Sequence, residues 1–121
     1  MYKIFVSMRF KDRNEEEVKS ILAKVEAIFL EWRPPEANGK KIKAVCNYWC
    51  IPPKKQNKKL YQLSNALYIM SECEEFVLIK DRGKPIPKGC EIELEAWKTS
   101  KSILRDGTIL DRPYHAISFD K

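Results

Sequence analysis

The chain has 121 residues, of which 44% are hydrophobic and 33% charged, and its 23 Lys and Arg against 17 Asp and Glu give a net charge of +6. This length and apolar fraction fit one folded domain over residues 1–121, and they exclude a disordered chain and a two-lobed enzyme with an interdomain cleft. The apolar runs are far shorter than the roughly 20 residues that cross a bilayer, and the first residues do not resemble a signal peptide, so we expect a cytoplasmic protein without membrane contact.

The first predicted elements are a strand and a helix. Residues 3–8 form a compact run of apolar, β-branched and aromatic side chains, which predicts a strand. Asn14 is typical of a helix N-cap, and Glu17 stands three residues later in the position of a capping-box acid. Apolar side chains then recur at helical spacing as far as Trp32, which we expect in the core, and the proline pair at 34–35 ends the helix.

The middle of the chain continues the alternation of strands and helices. Residues 41–49 are expected to contain a second strand, and a loop rich in proline and lysine follows. Apolar side chains at helical spacing predict a second helix over residues 60–70, with Tyr61 and Tyr68 packed along one of its faces. The unbroken apolar run at 76–79 is typical of a strand that is buried on both faces.

The last third of the chain is expected to add a loop, a helix and a strand. Glycine and two prolines make residues 81–88 a loop. A third helix is predicted from about Cys90 to Leu104, ending at the Asp-Gly pair at 106–107, and residues 113–119 are predicted as a last strand. The whole pattern predicts an α/β protein with a three-layer α/β/α, flavodoxin- or Rossmann-like fold, built on a mostly parallel sheet of four to five strands.

This architecture predicts where a ligand binds. In an open parallel sheet, ligands lie beyond the carboxyl ends of the strands, where the strand order reverses. The loops expected there are residues 7–10, 47–50 and 80–88. Arg9 in the first loop and a free helix N-terminus near Gly89 would suit an anion or a cluster of sugar hydroxyls.

Three alternating acids lie on the predicted third helix. Glu91 and Glu95 share one face, and Glu93 projects roughly opposite to them. All three could be solvated acids favoured by the helix dipole, or Glu93 could be turned inward for catalysis. Periodicity alone leaves both interpretations open.

The cysteines do not indicate a metal centre. The four cysteines are expected as reduced thiols, and the C-x3-C pair of Cys46 and Cys50 lacks a second pair of ligands at zinc-site spacing, so neither a metal nor another cofactor is expected.

The basic run at 54–59 could bind nucleic-acid phosphates or be a solvated loop. It comes without a helix-turn-helix, RNP-type or zinc-finger pattern, so nucleic acid is kept only as an alternative to a small anionic ligand.

Three motifs occur in the order typical of the nucleoside 2-deoxyribosyltransferase-like superfamily. They are I-F-V-S-M-R-F at residues 4–10, M-S-E-C-E-E-F-V-L-I at residues 70–79 and G-C-E-I-E-L-E-A at residues 89–96. Through them the chain resembles the small bacterial and phage members of that superfamily, from about residue 3 to residue 104.

The resemblance implies a nucleoside or nucleotide N-glycosidic hydrolase or a deoxyribosyltransferase. In that family a glutamate of the third motif, matched here by Glu93, attacks the anomeric carbon, and the glycosyl-enzyme is then passed to another base or to water. Family members usually form oligomers, so a homo-oligomer is expected. Together with the loops above, the resemblance implies that the ligand is bound by Ser7, Met8, Arg9, Phe10, Asn65, Asp81, Lys88, Gly89 and Cys90.

The sequence departs from the family pattern at two places. Family enzymes carry an aspartate that handles the proton of the departing base, whereas this chain has Asn65, and an amide cannot donate and recover a proton. The loop before the glutamate, acidic in the enzymes, carries Arg82, Lys84 and Lys88, which favours a phosphorylated ligand. A non-catalytic module that binds a nucleotide or a phosphorylated metabolite is therefore the alternative to an enzyme.

Overall fold

The computed structural model describes residues 1–53, 57–100, 102–103, 109–110 and 114–119. Strands and helices alternate along most of the chain, as the periodicity predicts. In chain order the elements are β1 (Tyr2–Ser7), α1 (Glu15–Trp32), a 3-10 turn (Pro35–Ala37), β2 (Ile42–Val45), α2 (Lys58–Ser71), β3 (Glu75–Asp81), α3 (Lys88–Thr99), β4 (Ser102–Ile103), β5 (Ile109–Leu110) and β6 (His115–Phe119).

Four strands form a parallel sheet in the order β2-β1-β3-β6. The first strand is therefore in the interior of the sheet, with β2 added on one side and β3 on the other. The direction in which the sheet grows reverses between β1 and β3, which makes the carboxyl ends of these two strands the topological switch point. The predicted α/β class and the mostly parallel sheet are confirmed, with four strands.

Helices cover both faces of this sheet because successive strand side chains alternate between them. Ile4 and Val6 of β1 pack with Phe29 of α1 in one core cluster. Phe5, between them in sequence, packs with residues of α2 and α3, including Trp97, in a second cluster on the other face. Ser7 follows Phe5 by two positions and therefore points to the α2–α3 face, which decides what it can contact.

Helix α1 begins as predicted and ends differently from the prediction. The backbone N–H of Glu17 donates to Asn14 Oδ1 at 2.8 Å, and the Asn14 N–H donates to Glu17 Oε1 at 3.3 Å, which completes the capping box. The prediction that Trp32 belongs to the core is wrong, since this residue is 55% exposed. Trp32 belongs to the last turn of α1, where its ring contacts Phe29 and His115 edge-to-face and covers the rim of the core.

Helix α2 buries a narrower face than its sequence suggests. It is capped by Asn57, whose Oδ1 accepts from the Leu60 N–H at 3.1 Å, and its buried stripe runs through Ala66 and Met70. Tyr61 and Tyr68 are exposed, so the prediction that they pack is wrong. Tyr68 is about 200° around the helix from Ala66, because each residue turns the helix by about 100°.

Helix α3 is shifted from its predicted position. It begins at Lys88 rather than Cys90 and ends at Thr99 rather than Leu104. Thr99 Oγ1 donates to the Glu95 carbonyl at 2.9 Å, and Ser100 Oγ donates to the Trp97 carbonyl at 2.7 Å. Such local side-chain bonds compete with helix continuation.

After α3 the chain forms a short antiparallel ribbon that the sequence did not predict. Strand β4 pairs with β5 through Ser102 opposite Leu110 and Ile103 opposite Ile109. Leu104, the pair at 106–107 and Pro113 of the predicted last strand lie outside the described residues, as do residues 54–56 of the basic run. In the part of the chain that is described, the helices lack the combined length and apolar character that a bilayer span requires.

Candidate active site

The candidate site lies where β1, β2 and β3 end at the carboxyl edge of the sheet. Ser7 is the last residue of β1 and Asp81 the last residue of β3. Cys46 directly follows β2, and α3 begins at Lys88 after the loop that leaves β3. The topology thus brings the first loop and the start of α3 together, as predicted for a ligand site.

Ser7 and Glu93 form the central contact of this site. The Ser7 hydroxyl donates to Glu93 Oε1 at 2.7 Å, and only 1% of Ser7 is exposed. Glu91 and Glu95 are exposed on one side of α3 and Glu93 lies on the opposite side, which is the relative placement that the helical spacing predicts. Glu93 is the acid that is turned towards the sheet, and its side chain is half-buried there.

The surroundings of Glu93 oppose its ionisation. Burial raises the pKa of the Glu93 carboxyl, because a charge in a medium of low polarity is poorly solvated. The hydrogen bond from Ser7 lowers this pKa and so partly offsets the burial. Among the described residues the Ser7 hydroxyl is the donor to this carboxylate, and the burial leaves its ionised form poorly solvated.

Two buried cysteine thiols lie within electrostatic range of this carboxylate. Burial, with smaller contributions from the charge of Glu93, raises the pKa of Cys46 and of Cys90 to about 11. The Cys90 thiol also contacts the Ser7 hydroxyl. Because thiols with such pKa values stay protonated at neutral pH, Cys46 and Cys90 act as small apolar walls rather than nucleophiles. Cys90, predicted as a ligand-binding residue, is buried beside Ser7.

Arg9, Arg13 and Asp81 form an ion-pair cluster beside the Ser7–Glu93 contact. Arg13 Nη2 donates to Asp81 Oδ1, and Arg13 Nη1 donates to the backbone carbonyl of Arg9. Arg9 Nε is 4.0 Å from Asp81 Oδ2 and is buried without a hydrogen-bond partner among the described residues. Two guanidinium groups thus face one carboxylate, and a positive charge remains at the edge of the site.

Sequence reasoning missed Arg13 and interpreted Asp81 only as a ligand-binding residue. The Asp81 carboxylate accepts a hydrogen bond from Arg13, whose side chain is 8% exposed, and this ion pair connects the first loop to the end of β3. A pattern that could have indicated this is the presence of a second arginine just before the helix N-cap, in the same loop as Arg9.

The other predicted ligand-binding residues are spread around the site. Met8 is buried in the core cluster on the α1 face, on the opposite side of the sheet from Glu93. The Phe10 ring packs edge-to-face on Tyr48, with 5.3 Å between ring centroids. Lys88 and Gly89 are exposed in the first turn of α3, whose N-cap, Pro87, provides no side-chain hydrogen bond.

Asn65 belongs to an amide pair in the wall of a neighbouring cavity. Its Nδ2 donates to Asn47 Oδ1 at 2.5 Å, and Asn47 Nδ2 donates to the Gln62 carbonyl at 2.8 Å. The cavity has a volume of about 340 Å³ and is lined by Cys46, Asn47, Trp49, Cys50, Ile51, Tyr61, Asn65 and Ile69. Val45 pairs with Phe5 on the neighbouring strand, and the lining residue Asn47 follows Val45 by two positions as Ser7 follows Phe5. The cavity therefore lies next to the end of β1 that carries Ser7. We refer to it below as the amide cavity.

A second cavity shares the lining residues Cys46 and Trp49 with the amide cavity but extends along the α1 face of the sheet. It has a volume of about 420 Å³ and runs between α1 and the edge strand β2, with Glu26, Lys43 and Trp49 among its lining residues. There the Glu26 carboxylate accepts from the Ala44 N–H at 2.8 Å and caps the open edge of the sheet. Because Ser7 and Glu93 project to the α2–α3 face, this cavity is not part of the candidate site.

The cysteines and the single histidine are dispersed in the described parts of the chain. All four cysteines are free, and no three side chains of His, Cys, Asp or Glu among the described residues converge in a way that could hold a metal ion. His115 begins β6 at the amino edge of the sheet, where its Nε2 is 3.3 Å from Glu75 Oε1. The only histidine of the sequence therefore lies at the edge opposite to the candidate site.

Comparisons of the chain with protein-family models, with curated proteins and with solved structures gave no match. The likeness to the nucleoside 2-deoxyribosyltransferase-like superfamily depends on the three sequence motifs and stays a prediction.

Proposed function

We propose that the chain is an N-glycosidic hydrolase or deoxyribosyltransferase that acts on a nucleoside or nucleotide, with Glu93 as its nucleophile. The observation that carries this proposal is the 2.7 Å hydrogen bond from Ser7 to Glu93 at the switch point of a parallel sheet. Ligands of such sheets bind at this point.

The placement of Glu93 is costly and is not required by the fold. Burial raises the pKa of its carboxyl, so holding the ionised form there at neutral pH lowers the stability of the folded chain. On the same helix Glu91 and Glu95 are exposed to solvent, where an ionised carboxylate is well solvated and does not lower the stability of the fold. Titratable groups with pKa values perturbed by burial are concentrated at functional sites.

The proposed reaction has two displacement steps at one carbon. A Glu93 carboxylate oxygen bonds to the anomeric carbon while the bond from that carbon to the ring nitrogen breaks and its electron pair leaves with the base. In the second step, water or another base bonds to the same carbon, the ester bond electrons return to Glu93, and the proton that the attacking molecule loses neutralises the departed base anion. Ser7 holds the attacking carboxylate in one orientation through its hydrogen bond.

The positive charge at the carboxyl edge of the sheet favours a nucleotide among these substrates. Arg9 has a buried Nε without a hydrogen-bond partner in the described part of the chain, and Lys88 and Gly89 begin α3. Guanidinium groups and helix N-termini bind phosphate oxygens. We therefore expect a phosphorylated ligand to bind more tightly than the free nucleoside.

A non-catalytic module that binds the same nucleotide is the second candidate. It is favoured by Asn65, which is the nearest match in this sequence to the aspartate of the family enzymes and is an amide hydrogen-bonded to Asn47, so it cannot protonate a departing base. Such a module would hold the ligand without breaking its glycosidic bond.

Assays of base release and of ligand binding distinguish the enzyme from the non-catalytic module. Purified chain is incubated with deoxynucleosides and deoxynucleoside monophosphates, and free base is measured by chromatography. The enzyme predicts release by the wild type and by Glu95→Gln, whose acid is exposed on the same helix, and none by Glu93→Gln. Binding heat without release favours the module, and neither heat nor release contradicts both functions.

A further inference from the structure

The described residues around Glu93 offer no ready proton donor for a departing base. A neutral purine or pyrimidine leaves as an anion, and enzymes usually protonate it as the bond breaks. The Asp81 carboxylate accepts from Arg13 and faces Arg9, which commits it to ion pairing. The only histidine lies at the opposite edge of the sheet.

The remaining polar groups near the carboxylate are weak acids or amides. Burial raises the pKa of Cys46 and Cys90 to about 11, well above the value near neutrality that suits a general acid. The amides of Asn47 and Asn65 cannot give up a proton. The chemistry of the site therefore favours a leaving group that needs no proton.

The walls of the amide cavity suit a flat cation. Trp49 and Tyr61 contribute aromatic rings, which attract cations through their π-electron faces, and the lining contains no Lys or Arg among the described residues. The cavity of about 340 Å³ can accommodate a heterocyclic ring.

Two carboxylates border this cavity. Glu93 lies near the lining residue Cys46, and the Glu15 carboxylate accepts from Trp49 Nε1 at 3.2 Å. Hydrogen bonds from Lys19 and Trp49 lower the pKa of Glu15, which keeps it ionised at neutral pH. The Glu15 charge is paired with Lys19 at 3.2 Å, so the negative charge near the amide cavity comes from Glu93, which has no ion-pair partner among the described residues.

From this arrangement we infer that the site cleaves N-glycosides whose leaving group is a cationic heteroaromatic ring, such as an N7-alkylpurine or a pyridinium glycoside. The inference rests on the proposed role of Glu93 as nucleophile and specifies the substrate class of that site. The ring occupies the amide cavity, and the sugar lies between that cavity and Glu93. The guanidinium cluster lies on the side where a phosphate on the sugar would bind.

The proposed reaction balances without a general acid. Glu93 bonds to the anomeric carbon, the carbon–nitrogen bond breaks, and its electron pair neutralises the positive ring, which leaves as a neutral heterocycle. Water then bonds to the anomeric carbon, the ester electrons return to Glu93, and the proton of the water passes to solvent. The sum is a cationic glycoside and water giving a free sugar, a neutral heterocycle and one proton.

Matched substrates test this inference directly. The wild type is assayed for base release from guanosine and 7-methylguanosine, from their 2′-deoxy counterparts, and from nicotinamide mononucleotide. The assay is run at mildly acidic pH, and each rate is corrected for the uncatalysed reaction. Methylation at N7 gives the purine a positive charge and leaves its sugar unchanged, so each pair differs only in the leaving group.

The expected result is that kcat/KM for the methylated member of each pair exceeds that for its parent by about 100-fold or more, because a missing general acid typically costs 10²–10⁴-fold. Glu93→Gln abolishes this release and Glu95→Gln preserves it. Comparable cleavage of both members, dependent on Glu93, overturns the inference and leaves the proposed function intact. No cleavage of any substrate overturns the inference together with the proposed enzyme.

Discussion

Replacing Ser7 by alanine removes the one hydrogen bond to the Glu93 carboxylate among the described residues, and the effect of this substitution on the pH dependence is the most informative consequence of this geometry. The bond is 2.7 Å long and its acceptor is charged when Glu93 is ionised. Hydrogen bonds to charged groups contribute about 1.5–3 kcal/mol. Ser7→Ala should therefore destabilise the ionised form of Glu93 relative to the protonated form by about that amount.

This destabilisation of the ionised Glu93 carboxylate lowers the activity of the variant in a pH-dependent way. At a pH low enough that most Glu93 is protonated, the variant should retain about one-tenth to one-hundredth of the wild-type rate, since about 1.4 kcal/mol corresponds to tenfold. At higher pH, where Glu93 is ionised in both proteins, the two rates should approach each other. The acid limb of the pH–rate profile thus moves to higher pH in the variant.

Stability provides a readout that does not depend on activity. Burial raises the pKa of Glu93, so the folded chain binds this proton more tightly than the unfolded chain. The contribution of Glu93 to stability is present below the unfolded pKa and is lost as pH rises through the folded pKa. Ser7→Ala should therefore lower the free energy of unfolding more at pH 8 than at pH 4.

The assay for Ser7→Ala combines base-release rates across the pH range with urea unfolding at both ends of it. Ser64→Ala, an exposed serine on α2, is the control and should change neither measurement appreciably. A variant profile that superimposes on the wild type, or an equal loss of rate at every pH, would refute the role assigned to the Ser7 hydroxyl.

Three further substitutions give separate expectations. Glu93→Gln should raise the free energy of unfolding at pH 8, because it removes a buried charge, whereas Glu95→Gln should leave this free energy unchanged. Urea titration measures both variants. A Glu93→Gln variant less stable than the wild type would contradict the account of Glu93 burial. Asn65→Asp should increase base release from guanosine more than from 7-methylguanosine, because it introduces a carboxyl group into the amide cavity; an unchanged ratio of the two rates counts against the missing-acid explanation. Trp97→Ala should lower the free energy of unfolding by about 3–5 kcal/mol in urea titration, because Trp97 is only 2% exposed. Trp32→Ala should lower it by clearly less, since Trp32 is 55% exposed. Equal losses of stability would contradict the described core.

Much of the architecture is predictable from hydrophobic periodicity, and its failures have local causes. The capping box at Asn14 and the doubly buried strand at 76–79 follow from residue types alone, and both are confirmed. The end of α3 was misplaced because Leu104 continues the helical spacing of Trp97, whereas the bonds from Thr99 and Ser100 to the backbone leave no trace in hydrophobicity.

The candidate site was predictable only in part. The strand period of two indicates that Ser7 and Met8 face opposite sides of the sheet, so the sequence already contained the reason why only one of them lies beside Glu93. The Arg13–Asp81 pair joins residues that are 68 positions apart, and the Asn47–Asn65 pair joins residues 18 apart. Local sequence patterns do not specify such contacts, which depend on how strands and helices are arranged.

Trapping a glycosyl-enzyme tests the central claim most directly. The chain is incubated with 2′-deoxy-2′-fluoroarabinosides of guanine and of 7-methylguanine, since the fluorine disfavours the oxocarbenium-like transition state and slows hydrolysis of the ester. Mass spectrometry of the intact protein and of its peptides then locates any adduct. We predict one fluorinated sugar per chain on the peptide that contains Glu93, formed also by Glu95→Gln and absent from Glu93→Gln. A sugar adduct on another residue, or no adduct while base is released, would contradict the assignment of Glu93 as the nucleophile.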